Sequence, residues 1–368
     1  MADPTLFTLE VIQAEQGDSL ILHYGSAADP QTILIDGGPS GVYERRLKAR
    51  LAQLGPADGK VFLPLVMVSH IDDDHIVGIL ELFKDLDAGD APAELDMLWH
   101  NAFHRLVPEE AQAKVKPDAL GHTASLVVAS AAKGRELDDL AEKLVVGRNE
   151  PFGDLVRADK GGTTVTYDPG LKLTVLSPFQ EELDALEKEW RHTLKDDDAE
   201  AKVTAYTDTS VANLSSIVVL AECGGRRMLL PGDARGDAVE RGIESAGLKF
   251  TYDEPLDIFK LPHHGSIRNA EASLFEKAPA RHYVISANGM FDNPDIETLE
   301  MLSKARKGHD DFTIWFTNRD MRKGVGEKVA QFLEREKKAG RKYETVFRED
   351  PAVSLFLDLL DDKAPRPA

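Results

Sequence analysis

Four apolar runs in this 368-residue chain each stop abruptly in a cluster of His, Asp or Asn. Val61 to Val68 runs into Ser69-His70-Ile71-Asp72-Asp73-Asp74-His75, and Arg227 to Leu230 ends in Pro231-Gly232-Asp233. Asp257 to Leu261 is followed by Pro262-His263-His264-Gly265-Ser266, and His282 to Ser286 by Ala287-Asn288-Gly289. Short apolar runs of this length read as buried strands. Strands that all end in polar, ligand-type side chains predict one sheet edge where those side chains converge. Further strands are predicted at Thr8 to Ile12, Leu20 to His23, Thr32 to Ile35, Leu95 to Trp99, Leu171 to Leu176, Ile217 to Ala221, Phe312 to Phe316 and Leu355 to Leu359. Helical spacing marks Tyr43 to Leu54, Ile76 to Leu86, Glu181 to Lys202, Ile296 to Lys307 and Glu327 to Lys338. No internal repeat or long linker divides the chain, so one domain over 1–368 is expected. It would carry a mostly helical insertion at about 87–165 and a C-terminal α/β extension at about 295–368.

The run from His70 to His75 packs two imidazoles and three carboxylates into six residues. A transition-metal site needs several such donors within about 2.0–2.2 Å of one ion. A loop leaving a rigid strand can present His70 and Asp72 to one side. Asp74 and His75 then turn toward a second position as a helix begins, so the spacing suits two neighbouring ions better than one. Asp233 and the His263-His264 pair offer further donors. Alone, each of these two elements is equally an ordinary turn.

In order, these motifs resemble the metallo-β-lactamase fold superfamily, and more narrowly the hydrolase domain of ComEC-type DNA-uptake competence proteins. The likeness also takes in Gln16-Gly17-Asp18, Ile35-Asp36-Gly37-Gly38, Val175-Leu176-Ser177-Pro178 and Asn213-Leu214-Ser215-Ser216. It implies an α/β fold, an αββα sandwich with the site at one edge, and a hydrolase using two divalent metal ions. By that resemblance His70 and Asp72 serve the first metal, and Asp74 and His75 the second. Asp233 bridges both, and either His263 or His264 completes the second site. Asp36 supports the metal loop from behind. Asp72 stands where the wider superfamily has His, and Asn213 lies near another missing His. Oxygen donors shift the first site from Zn²⁺ toward Mn²⁺ or Mg²⁺.

The implied chemistry is attack of an activated water on a phosphoryl group. Asp74 would hold the water in line, and a protonated His263 or His264 would assist the leaving oxygen. Asn213, Ser266, Asn288 and His100 are candidates for contacting substrate. The activity expected is that of a phosphodiesterase or nuclease on DNA or RNA. A hydrolase of a small phosphodiester, ester or lactone is the alternative, and a non-catalytic scaffold the third.

Charge bears on the partner. With 44 basic and 64 acidic side chains the net charge is −20, which opposes phosphate binding over the whole surface. Residues 304–348 differ, holding 13 Lys or Arg against 7 Asp or Glu, and could track a nucleic acid. Solvated helix faces explain the same pattern. Phe312, Trp315 and Phe316 within it read as core. The lone Cys223 has no thiol or imidazole near it in sequence and reads as non-catalytic. It predicts a reducing, cytoplasmic setting, as does an N-terminus without signal-peptide character. No stretch reaches the roughly 20 apolar residues of a membrane span. His104 and His122 are expected to be exposed, and His23, His192, His282 and His309 to be structural.

Overall fold

Runs rich in Leu, Ile, Val and Phe suit a pleated surface buried on at least one face, and they build two large sheets. The structure, a computed structural model, describes residues 3–57, 59–102, 122–185 and 212–367. The first sheet has the order β17-β1-β2-β3-β5-β7-β8. These strands are β1 (Leu6–Ile12), β2 (Leu20–Ser26), β3 (Asp29–Ile35), β5 (Val66–Met67), β7 (Met97–Trp99), β8 (Gly147–Arg148) and β17 (Ser354–Asp358). The second has the order β16-β15-β14-β13-β12-β11-β10-β9. It is formed by β9 (Thr163–Tyr167), β10 (Leu171–Ser177), β11 (Val218–Cys223), β12 (Arg226–Leu230), β13 (Leu256–Lys260), β14 (Ala280–Ile285), β15 (Thr313–Phe316) and β16 (Glu344–Phe347).

Alternation along the strands sends side chains to opposite faces. Phe7, Leu9, Met67, Trp99, Met228, Ile258 and Val284 fill the space between the sheets. From the second sheet, Leu229, Phe259 and Tyr283 face outward onto α4 (Gly236–Ser245), α5 (Ala272–Lys277), α6 (Ile296–Ala305) and α7 (Val325–Lys338). From the first, Ile21, Leu34, Val66 and Leu98 face α1 (Lys48–Leu54), α2 (Asp73–Ala88) and α3 (His122–Lys143). The layers therefore run helix, sheet, sheet, helix, the αββα sandwich expected.

The run Val61 to Val68 is not one strand. Pro64 lacks an N–H and interrupts the ladder. Before it, β4 (Val61–Leu63) pairs with β6 (Ala93–Leu95) in a separate two-stranded sheet; after it, β5 joins β3 and β7. The described part of the span 87–165 supplies α3, β6, β7, β8 and the start of β9, and residues 295–367 supply α6, α7 and β15 to β17. The last strand returns to β1, pairing Thr8 with Asp358 and Ile12 with Ser354. A buried charge network ties this closure. Glu10 accepts from His23 Nε2 at 2.8 Å, Arg50 Nε at 2.8 Å and Ser354 Oγ at 2.7 Å. Burial pushes its carboxyl up, but the bonds from His23 and Arg50 prevail and hold it below the usual range.

Strands β12 to β16 are mutually parallel, and so are β3, β5 and β7. Parallel neighbours bring their C-terminal ends to one edge, which is where the polar clusters begin. His104, His192 and Asp196 to Asp198 lie outside the described residues, as do most of the predicted helix 181–202 and the side chain of His122.

Candidate metal centre

Three of the imidazoles are each oriented by a carbonyl or carboxylate. Asp36, just after β3 in the left-handed region (φ 59°), accepts from the Ser69 backbone N–H at 2.7 Å and from His75 Nδ1 at 2.9 Å. His264 Nδ1 donates to the Ser286 carbonyl at 2.9 Å, and His263 Nδ1 donates to Asn269 Oδ1 at 2.7 Å. These acceptors assign the proton of each ring to Nδ1. The Nε2 atoms all turn toward Asp233. His75 Nε2 lies 3.1 Å from Asp233 Oδ1, His264 Nε2 is 3.6 Å from the same oxygen, and His263 Nε2 is 3.6 Å from Oδ2. His264 Nε2 is also 3.4 Å from Asp74 Oδ2.

The backbone explains how two adjacent histidines share this task. His263 (φ 46°) and His264 (φ 57°) both occupy the left-handed region, so the chain curls after β13 and presents both rings. Their centroids are 5.9 Å apart at 80°. The loop from β5 is held on the other side by close packing. A Cβ on Gly17 would stand 1.9 Å from the Asp74 carbonyl oxygen, and Asp18 N–H donates to that carbonyl at 3.1 Å. Asp72 caps α2, whose first turn begins with its carbonyl accepting from Ile76 N–H at 3.0 Å.

The donor set fits a divalent cation. Donor atoms of Asp74, His75 and His264 lie within 4.8 Å of one another, as do those of His70, His75 and Asp233. His75 Nε2, His264 Nε2 and Asp233 Oδ1 are buried yet make no aligned hydrogen bond, a state that normally demands a partner. Their mutual field is strong. Burial disfavours charge on His75, but Asp233 and Asp36 outweigh it and raise its pKa well above the ordinary imidazole value. His264 is raised in the same way by Asp233 and Asp18. Burial is likewise outweighed at Asp233, which the three imidazoles hold well below the carboxylate range, and at Asp74, which His264 and His75 lower.

Asp72 is 46% exposed, with Oδ2 3.6 Å from His70 Nδ1. It lines a cavity of about 860 Å³ together with Asp74, Asp233, His263 and Ser266. His263 is 30% exposed and His264 buried. Asn213 Nδ2 sits 3.2 Å from His263 Nδ1. Two residues expected at substrate lie elsewhere. His100 is buried and holds Asp138 of α3 at 2.8 Å, because its strand position points it away from the intersheet core, into the helical layer. Asn288 is spent on loop geometry, accepting from Met290 N–H at 3.0 Å and donating to Glu15 at 3.3 Å.

Sequence reasoning missed Asn269, which buttresses His263 and donates to the Asp233 carbonyl at 2.8 Å. It also missed Lys260, whose ammonium pairs with Asp18 at 2.9 Å. A lysine inside the apolar run before the His pair was the available signal. Cys223 is buried, which raises its thiol pKa. Phe312 and Phe316 are core, His282 Nδ1 accepts from Trp315 Nε1 at 3.2 Å, and His309 stacks on Tyr252 at 4.0 Å. Of the basic segment, Lys323 lines the cavity, while Arg319, Arg335, Arg341 and Arg348 pair with Glu349, Glu300, Asp310 and Asp350.

No family model and no curated protein matches the sequence. Solved structures do. A metal-dependent hydrolase of the β-lactamase superfamily aligns over 96% of this chain and 100% of its own, at 10% identity and a TM-score of 0.40. A diphosphatase from the PhnP family aligns over 79% and 90%, at 14% identity and 0.37. An isothiocyanate hydrolase from Delia radicum gut bacteria aligns over 96% and 100%, at 13% identity and 0.34. None of these scores reaches 0.5, so the chemistry rests on this chain's own residues. Among the described residues no helix is long and apolar enough to cross a membrane.

Proposed function

We propose that the chain is a metal-dependent hydrolase of the metallo-β-lactamase superfamily, ComEC-like in its motifs, that cleaves phosphodiester bonds in DNA or RNA. One observation carries the reading: three imidazole Nε2 atoms turn toward Asp233, and Asp233 and Asp74 line an open cavity. In the assignment we favour, Asp74, His75 and His264 would hold one ion and His70 and Asp72 the other, with Asp233 a donor available to each. The oxygen-rich first site favours Mn²⁺ or Mg²⁺, and the second accepts Zn²⁺ or Mn²⁺. When bound, such ions activate water and neutralise charge growing on a phosphoryl oxygen.

The chain's own groups divide the remaining work. Asp36, Ser286 and Asn269 hold the imidazole protons at Nδ1 and so keep each Nε2 available. In its protonated form His263, at the cavity wall, would give up its Nε2 proton to the leaving oxygen and keep the Nδ1 proton on Asn269. Ser266 lines the wall as a substrate contact. A buried lone cysteine fits a reducing, cytoplasmic setting. A second reading, cleavage of small phosphodiesters, is favoured by the net charge of −20, which opposes a long polyanion, and by the pairing of Arg341 with Asp310, which takes one mostly buried cation of segment 304–348 out of play.

The test uses metal-stripped protein with Mn²⁺, Mg²⁺ or Zn²⁺ restored, against single-stranded DNA, duplex DNA, RNA and bis-p-nitrophenyl phosphate. Cleavage of polymer that is lost in Asp74→Ala and Asp233→Ala is the expected result. Cleavage of the small diester alone would support the second reading. Tight metal binding without turnover would instead point to a scaffold.

A further inference from the structure

Phe291 is 63% exposed. A lone apolar side chain on a convex surface is ordinary, but Phe291 lines the same cavity as Asp74, Asp233 and His263. Its loop is fastened at several points. Arg322 N–H donates to the Asn288 carbonyl at 2.7 Å, Asp295 N–H to the Gly265 carbonyl at 3.1 Å, and Asn293 Nδ2 to the His263 carbonyl at 3.4 Å. Gly289 (φ 80°) lies so close that a Cβ would stand 2.5 Å from the Arg322 carbonyl oxygen. The aromatic ring is thus carried on a loop tied to the histidine turn itself. Lys323 lines the same cavity, and its ammonium is 3.6 Å from Asp292 with both side chains more than half exposed. An exposed pair at that distance contributes little, so a phosphate oxygen can displace it.

Resting on the phosphodiesterase reading, we propose that Phe291 and Lys323 form a nucleotide-recognition subsite. The Phe291 ring stacks on a nucleobase, and Lys323 Nζ takes a phosphate next to the scissile one. Stacking on a protein aromatic is worth roughly tenfold or more in affinity per base and tolerates any base. Base faces in a duplex are already stacked on each other, so such a platform selects an unpaired base. The substrate class is therefore a base-bearing phosphodiester, single-stranded at the site of cleavage.

The experiment compares Mn²⁺-loaded wild type, Phe291→Ala, Phe291→Trp and Lys323→Ala on a short single-stranded DNA and on the same oligomer with abasic residues. Binding of AMP and of ribose 5-phosphate is titrated in parallel. Phe291→Ala should raise KM for the base-bearing oligomer about tenfold with kcat retained, Phe291→Trp should restore it, and the abasic oligomer should be indifferent to both. AMP should weaken in Phe291→Ala by the same factor. Ribose 5-phosphate should respond to Lys323→Ala alone. Equal effects on both oligomers, or no effect of Phe291→Ala, would overturn the subsite. If wild type cleaves neither oligomer, the phosphodiesterase reading fails instead. The subsite then stands if AMP binding falls in Phe291→Ala and falls with the reading if it does not.

Discussion

Asp18 and Lys260 form an ion pair at 2.9 Å with each side chain only 1% exposed, and the other Asp18 oxygen lies 3.7 Å from His264 Nδ1. Asp18 comes from the turn after β1 and Lys260 from the end of β13, so the pair joins the two sheets directly behind the histidine turn. Removing one partner strands a buried charge, which costs about 3–5 kcal/mol. Lys260→Met should therefore lower unfolding free energy by that amount, and Asp18→Asn combined with Lys260→Met should recover most of it. Urea denaturation measures both. Equal losses in the single and double variants would show that the charges are not coupled.

Asp36 accepts from His75 Nδ1, on the side of the ring opposite the Nε2 that faces Asp233, and in the proposed assignment it orients that ring. Partners of this kind are worth about 10- to 100-fold in metal affinity. Titration of Mn²⁺ or Zn²⁺ into stripped Asp36→Asn should show a loss in that range with the circular dichroism spectrum unchanged. Wild-type affinity in the variant would remove Asp36 from any orienting role.

The pH response of the metal-free chain follows from opposed shifts. His75 and His264 are raised, so their contribution to stability is full below about pH 6.5 and is lost as pH climbs through the raised values. Asp74 and Asp233 are depressed, so their contribution is present above about pH 4 and lost as pH falls through the lowered values. Metal-stripped protein should thus have its highest Tm between these limits and lose stability on the alkaline side. Added Mn²⁺ should reverse that trend, because ligating imidazoles must be unprotonated. A Tm in chelator that is flat or rises from pH 6 to pH 9 would contradict the assignment.

Gly17 leaves no room for a side chain against the Asp74 carbonyl. Gly17→Ala should push Asp74 from its place beside His264 and weaken metal binding, at a stability cost of about 1–3 kcal/mol. The contrast is Gly225→Ala, in a hairpin turn with open space around its Cα, which should keep metal affinity intact. Equal metal affinity in both would mean the turn does not position the loop.

Much of the fold was legible because apolar runs and turn residues act locally. Arg227 to Leu230 and Asp257 to Leu261 coincide with β12 and β13 to within a residue. The run through Pro64 was misread, since apolar continuity hid a residue without an N–H. His100 shows the limit at the site. It follows a strand and so reads as a candidate substrate contact, yet it faces Asp138 on α3, and strand periodicity alone does not say which face the helices cover. Asn269 and Phe291 sit in turns of ordinary composition and carried no local signal.

What the sequence by itself determined is which side chains leave the strand ends: His70 to His75, Asp233 and the pair His263-His264. A strand's exit direction and the residues that follow it are set within a few bonds, so proximity in the chain suffices. Only the tertiary structure decided that His264 is buried near Asp74 while His263 lines the cavity, that Asp36 accepts the hydrogen bond from His75 Nδ1, and that Phe291 lines the same opening. Those relationships join residues 39 positions apart, for Asp36 and His75, and 190 apart, for Asp74 and His264. Their geometry comes from sheet twist, core packing and three residues in the left-handed region, Asp36, His263 and His264, none of which a local pattern carries.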